Sequence, residues 1–190
     1  MNGTPSVLTT NNQNKIDSRN LRANDPVQLD MTRMFAEYGY RYERKPREYD
    51  SVEGVDPAKV VPNDLVGQST LAMVLRKPSD ARRRRYKVWG ELYQQIFSGG
   101  AVEPHVLAYE VYRHASRWVR TARLTVAADD IRRKLANNAV FHLARMAAQM
   151  WLGSGWEKDM PKMKASIAQL QNDEDVLSPH FAAALELVKE

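Results

Sequence analysis

Asn24-Asp25-Pro26-Val27-Gln28-Leu29-Asp30-Met31-Thr32-Arg33-Met34-Phe35-Ala36-Glu37-Tyr38-Gly39-Tyr40-Arg41-Tyr42-Glu43-Arg44-Lys45 changes its period half-way along. An Asn or Asp can cap free helical amides, and Pro suits the first helical position because its missing N–H would have no partner there. Val27, Met31, Met34, Phe35 and Tyr38 then recur at helical spacing, and Gly39 supplies a stop. Beyond it Tyr40 and Tyr42 alternate with Arg41 and Glu43, which is the two-residue period of a strand. The stretch therefore reads as one helix followed by a short strand.

Upstream, residues 1–24 are polar, with Val7-Leu8-Thr9-Thr10 as a short strand candidate. Downstream, Pro46, Gly54, Pro57 and Pro62 make 46–64 read as an irregular connection. Asn63-Asp64 opens a helix through Leu75, stopping before Pro78. Ser79-Asp80 opens another, carrying Arg82 to Arg85, Tyr86, Trp89, Tyr93, Ile96 and Phe97 to Gly99-Gly100. The rest reads as helix after helix: about 103–124, 128–152, 156–170, and from Ser178-Pro179 onward. The expected fold class is mainly α, a helical bundle with a small mixed α/β N-terminal segment. The boundary falls near residue 60, giving 1–60 and 61–190.

A chain of 190 residues suits one domain, or one domain with an appendage. It has no cysteine, so disulfides and cysteine-ligated zinc are excluded, and its four histidines lack the close spacing of a helical metal site. No basic-then-apolar leader opens it, and no apolar run approaches the ~20 residues that span a bilayer. A soluble, cytoplasmic protein without a membrane partner is the expectation. A net charge of +5 and a pI near 9.4 favour an anionic partner such as nucleic acid. Phosphate-loop, dinucleotide-loop and serine-elbow motifs do not occur.

Five elements keep a characteristic order: Thr10-Asn11-Asn12-Gln13-Asn14, Leu21-Arg22-Ala23-Asn24-Asp25-Pro26, Tyr40-Arg41-Tyr42-Glu43-Arg44-Lys45, Gln68-Ser69-Thr70-Leu71-Ala72 with Lys77-Pro78, and Tyr93-Gln94-Gln95-Ile96-Phe97. Over about residues 9–100 this order resembles the C-terminal part of the AIPR (abortive infection phage resistance) family. The resemblance implies an antiviral defence protein, or a piece of one, associated with restriction–modification genes. Larger family members carry a long N-terminal part with an Asn-Gly-(Gln/Cys)-Gln-Thr-like motif. This sequence starts after that region, so the resemblance also implies an N-terminal partner chain or restriction–modification components as partners.

Three groups of residues could carry function. Asn12, Gln13 and Asn14 with Arg19 and Arg22 could hold a phosphate or a base edge, since amides donate and accept and arginine binds phosphate as a fork. Those Asn side chains could equally cap turns. Glu43 and Lys45 fit half of a restriction-type nuclease motif, with the carboxylate on a metal ion and the lysine on the developing phosphate charge. The partner acid should end a preceding paired strand, whereas here a helix comes first, so an exposed strand of alternating charge that includes Arg44 is the better reading. Arg82, Arg83, Arg84 and Arg85 on one helix point around more than half its circumference, so some can meet phosphates while others pair with carboxylates such as Glu91. Tyr86, Trp89, Tyr93 and Phe97 read as core, as do Trp118, Trp151 and Trp156, and His142 reads as a structural histidine.

The expected function is thus a non-catalytic, nucleic-acid-binding module of phage defence, with DNA the first choice of ligand. The alternatives are a metal-dependent nuclease or nucleotide-processing enzyme using Glu43 and Lys45, and a structural piece completing a larger defence protein. No cofactor is expected except Mg2+ under the nuclease alternative.

Overall fold

A computed structural model of the chain describes residues 18–98, 100–125 and 139–187. Val7 to Thr10 and the amides Asn12, Gln13 and Asn14 lie outside them. Two helices, α1 (Ser18–Arg22) and α2 (Pro26–Glu37), precede strand β1 (Arg41–Glu43). A single 3-10 turn (Pro57–Lys59) leads into β2 (Val60–Pro62). Then come α3 (Asn63–Met73), α4 (Pro78–Arg83), a 3-10 turn (Arg85–Lys87) and α5 (Tyr93–Phe97). Helices α6 (Glu103–Thr125), α7 (Val140–Leu152), α8 (Met160–Asn172) and α9 (Ser178–Leu187) complete the described fold. The protein is mainly helical with a small mixed segment, as the pattern of periods implies.

Strand β2 lies in the stretch expected to be irregular. It pairs parallel with β1, Tyr42 opposite Val61. Three residues flanked by Pro57 and Pro62 carry too little pattern to announce a strand, and the partner that defines it is remote in sequence. The starts of α2, α3, α6 and α9 fall where expected, α8 begins only at Met160 after a 3-10 turn at Trp156–Lys158, and the start expected at 128 lies outside the described residues; the capping also differs. Pro26 opens α2 while the Asp25 side chain caps nothing and pairs with Arg22 at 3.3 Å. Asn63 is the first residue of α3, and its side chain is spent on tertiary bonds. Asp159 does cap α8, accepting from the Lys162 amide at 3.1 Å.

The larger difference is at 79–97, expected as one helix. The chain breaks at Arg84 (φ −126°, ψ 37°) and resumes through the 3-10 turn to α5. Four adjacent arginines give helical continuation little support, and packing elsewhere decides the path. Val88 lies so close to Gly67 that a Cβ there would stand 2.5 Å from the valine Cγ1. Only glycine lets that loop close onto α3.

Helix α6 is the centre of the fold, packed against α3, α7 and α8, with α9 against α7. Val111, Ala115 and Val119 of its expected stripe are buried. One apolar cluster runs from Met31, Phe35, Tyr40 and Tyr42 through Val61 and Leu107 to Phe181, so residues on both sides of position 60 share it. Burying that many side chains, at about 1.5–3 kcal/mol each, is the main stabilising force. Inside it Glu110 is wholly buried. Its carboxylate accepts from the Tyr40 hydroxyl, from Arg113 Nε at 2.8 Å and from Gln171 at 3.4 Å, which ties β1 and α8 to α6. Desolvation and this carboxylate hold the Tyr40 phenol well above its ordinary pKa. Among the described residues no helix is long and apolar enough to cross a membrane.

His105 stacks on Phe97 (5.8 Å between ring centres) with Nε2 at 2.9 Å from the Ile96 carbonyl, and burial pushes its pKa down to about 4. Between pH ~6.5 and 4 the unfolded chain therefore binds a proton that the folded chain refuses. This contribution to stability is complete above pH 6.5 and is lost as the pH falls towards 4, by about 3 kcal/mol. His114 and His142 are lowered too and act in the same direction. Urea unfolding of wild type and His105→Gln between pH 7.5 and 4.5 should show a shallower loss in the variant. Parallel curves would place the acid sensitivity elsewhere.

Candidate nucleic-acid interface

The short helix α1 carries Arg19 into the fold, where it is only 7% exposed. Its Nε donates to Asn63 Oδ1, and Nη2 donates to both the carbonyl and the carboxylate of Glu43, each at 3.3 Å. Nη1 lies 3.9 Å from Asp64. Glu43 ends β1, while Asn63 and Asp64 follow β2, so parallel pairing of the two strands brings the three side chains to one end of the sheet. Asn63 Nδ2 donates onward to the Arg44 carbonyl at 2.9 Å. Arg44 itself donates to Glu48 at 3.1 Å and to the Ala23 carbonyl at 3.1 Å. Arg22 sits over the Tyr93 ring at 4.3 Å. The cations expected to meet phosphate at this end of the chain are thus turned inward, onto carboxylates, carbonyls and an aromatic face.

Asp64 is the hub that pattern reading missed. Besides Arg19 it holds Arg85 at 3.3 Å and accepts from the Trp89 indole N–H. Both partners lie beyond the helix break, so this one carboxylate fixes the path of 85–89. The signal was hidden because Asn63-Asp64 also reads as a helix cap.

The break divides the arginine run. Arg84 folds back on Asp80 at 3.5 Å, and Arg85 goes to Asp64. Lys87, not an arginine, takes Glu91. Arg82 and Arg83 instead face α7, where His142 stands with Nε2 3.1 Å from Ser79 Oγ. Burial lowers the His142 pKa, and the fields of Arg82 and Arg83 lower it further. One turn along α7, Arg145 is lowered by burial and then by Arg76, against the opposing pull of Glu157. Arg76 closes α3 in a left-handed backbone (φ 59°) and pairs with Glu157 at 3.3 Å. Buried Nη1 of Arg145 has no hydrogen-bond partner.

Three elements thus bring Arg76, Arg82, Arg83, His142 and Arg145 to one side of the molecule. The carboxylates near them, Asp80 and Glu157, are engaged by Arg84 and Arg76. Among the described residues neither Arg83 nor Arg145 has a carboxylate partner. Burial first, and then neighbouring guanidinium groups, lower His142 and Arg145, so cations outnumber carboxylates around these two side chains. Arg145 could have been suspected from sequence, because it is the sole charged side chain of Val140–Leu152 and follows His142 by three residues.

Glu43 lines a groove of about 550 Å³ with Tyr49, Asp50 and Val52, while Lys45 is exposed. Among the described residues no group of three or more His, Cys, Asp or Glu could hold a metal ion. Glu43 is held by Arg19 and contributes to the fold.

A model of the AIPR family (AIPR protein) matches residues 8–183. The chain belongs to the AIPR family. Its role accordingly lies in phage defence by abortive infection. The match extends well beyond the motif-bearing first hundred residues, across the helical remainder. No curated protein and no solved structure matches the chain.

Removing one partner of a buried ion pair leaves the other charge uncompensated, typically at a cost of about 3 kcal/mol or more. Glu43→Ala in this AIPR protein should therefore lower unfolding stability by about that amount. The double variant Arg19→Met/Glu43→Ala should recover part of it. Denaturant titration checks both, and an undiminished midpoint for Glu43→Ala would show that the pair carries no stability.

Proposed function

We propose that within phage defence this chain is a non-catalytic module that binds nucleic acid, and that its contact face is the cationic side built by α4 and α7. What carries the reading is the packing of α4 on α7, which sets Arg82 and Arg83 near His142, with Arg145 one turn further along α7 near Arg76, and no carboxylate bonded to Arg83 or Arg145 among the described residues. Like charges gathered at some cost to one another need a compensating ligand, and a polyphosphate backbone supplies it by displacing its counterions onto bulk solvent. Of the residues expected to touch nucleic acid, the proposal assigns Arg82 and Arg83 to this face, while Arg19, Arg22, Arg44, Arg84 and Arg85 are paired with groups of the chain itself. The nuclease alternative rests on Glu43 and Lys45; Glu43 is paired with Arg19, and among the described residues no group of three or more His, Cys, Asp or Glu gathers around it to hold a metal ion. DNA is the first ligand to try.

The reading predicts an affinity that falls linearly on a log–log plot against salt, with each lost phosphate contact reducing the slope by about one. Fluorescence anisotropy with labelled oligonucleotides at 50–200 mM salt measures it. Arg83→Glu/Arg145→Glu should weaken binding at least tenfold and flatten the slope, because each reversal removes one contact and adds a repulsion. Salt-independent binding, or none at low salt, would refute the reading.

A further inference from the structure

Sequence periodicity places Tyr86 with Trp89, Tyr93 and Phe97 in one buried stripe. Trp89, Tyr93 and Phe97 do pack together, with ring centres 5.0–5.8 Å apart. Tyr86 does not join them. The chain break at Arg84 rotates it out, and at 71% exposure it is the most exposed large hydrophobic side chain described. No ring contact or hydrogen bond engages it among the described residues.

Its neighbours give that exposure meaning. Tyr86 sits in the middle of the 3-10 turn Arg85–Lys87, three residues after Arg83. No more than about 11 Å of chain can separate the two Cα atoms. An aromatic face set among cations binds an unpaired base by stacking while the cations take the flanking phosphates. A duplex offers no such partner, because its base faces are already stacked on one another.

We infer, resting on the polyanion reading of the same face, that the ligand class is single-stranded nucleic acid, with Tyr86 as the platform on which an unpaired base stacks. Arg83, His142 and Arg145 hold the backbone to one side of it. Duplex binding through those cations remains, weaker and indifferent to Tyr86.

The test compares Tyr86→Ala, Tyr86→Trp and Arg83→Glu/Arg145→Glu in the full chain. The probes are a labelled 12-nucleotide mixed-sequence DNA strand, the same strand as RNA, and the DNA duplex. Since Tyr86 is largely exposed and makes no ring contact or hydrogen bond among the described residues, thermal unfolding of both Tyr86 variants should match wild type. Tyr86→Ala is expected to weaken single-strand binding on the order of tenfold and leave duplex affinity and salt slope unchanged. Tyr86→Trp should retain single-strand affinity, and its indole fluorescence should be quenched on binding. The DNA and RNA arms report which strand chemistry is preferred.

A wild type that prefers duplex, or a Tyr86→Ala that binds the single strand undiminished, overturns the base-stacking inference. The cationic face still stands in that case if Arg83→Glu/Arg145→Glu loses affinity. If that double variant binds normally while Tyr86→Ala fails, the stacking platform stands and the α4–α7 face falls. Absence of binding to all three probes at low salt overturns both.

Discussion

The carboxylate of Asp64 is the contact from which the arrangement of charge in this protein follows. It stands at the start of α3 and draws Arg19 from α1, Arg85 from beyond α4 and the Trp89 indole to one place. Trp89 cannot reach Asp64, nor Val88 lie against Gly67, if the chain from Ser79 to Phe97 runs on as a single helix. The helix yields at Arg84, inside a run of like charges where continuation is weakly supported. Arginines that would have spread evenly around a cylinder are sorted by that bend into some that brace the fold and some that do not.

Burial sets which charges remain available. The described interior tolerates Glu110 and Arg19 because each is met by several donors or acceptors. It also encloses His105 and His114, whose pKa values burial lowers and each of which has a ring N–H position within reach of a backbone carbonyl. These groups hold β1, α6 and α8 in register and belong to the framework. At the surface between α4 and α7, Arg83 and Arg145 have no carboxylate bonded to them among the described residues, and the proposed anion-binding face rests on that difference.

Legibility in the sequence varied with the range of the interactions. Helix α2, its stop at Gly39 and strand β1 were readable because period, the opening proline and the stop are local. The stripe of α6 was readable because a long helix repeats its pattern several times. Strand β2 was not, since three residues cannot display a period and its partner lies across a proline-rich connection. Tyr86 was misassigned for a related reason. Spacing of three and four assumes an unbroken helix, and one residue of non-helical backbone at Arg84 removes it from the stripe while Trp89, Tyr93 and Phe97 stay together.

What the sequence by itself determined is the helical class, the small mixed segment near its start and kinship with the AIPR family, because these rest on composition, local periodicity and ordered motifs. Only the tertiary structure decided which carboxylates the cations meet. A guanidinium reads the same in sequence whether it ends on Glu43 or in solvent. Its partner is chosen by the three-dimensional meeting of strand ends, helix starts and a glycine gap, through electrostatic contacts that act over a few ångströms of space and are blind to distance along the chain.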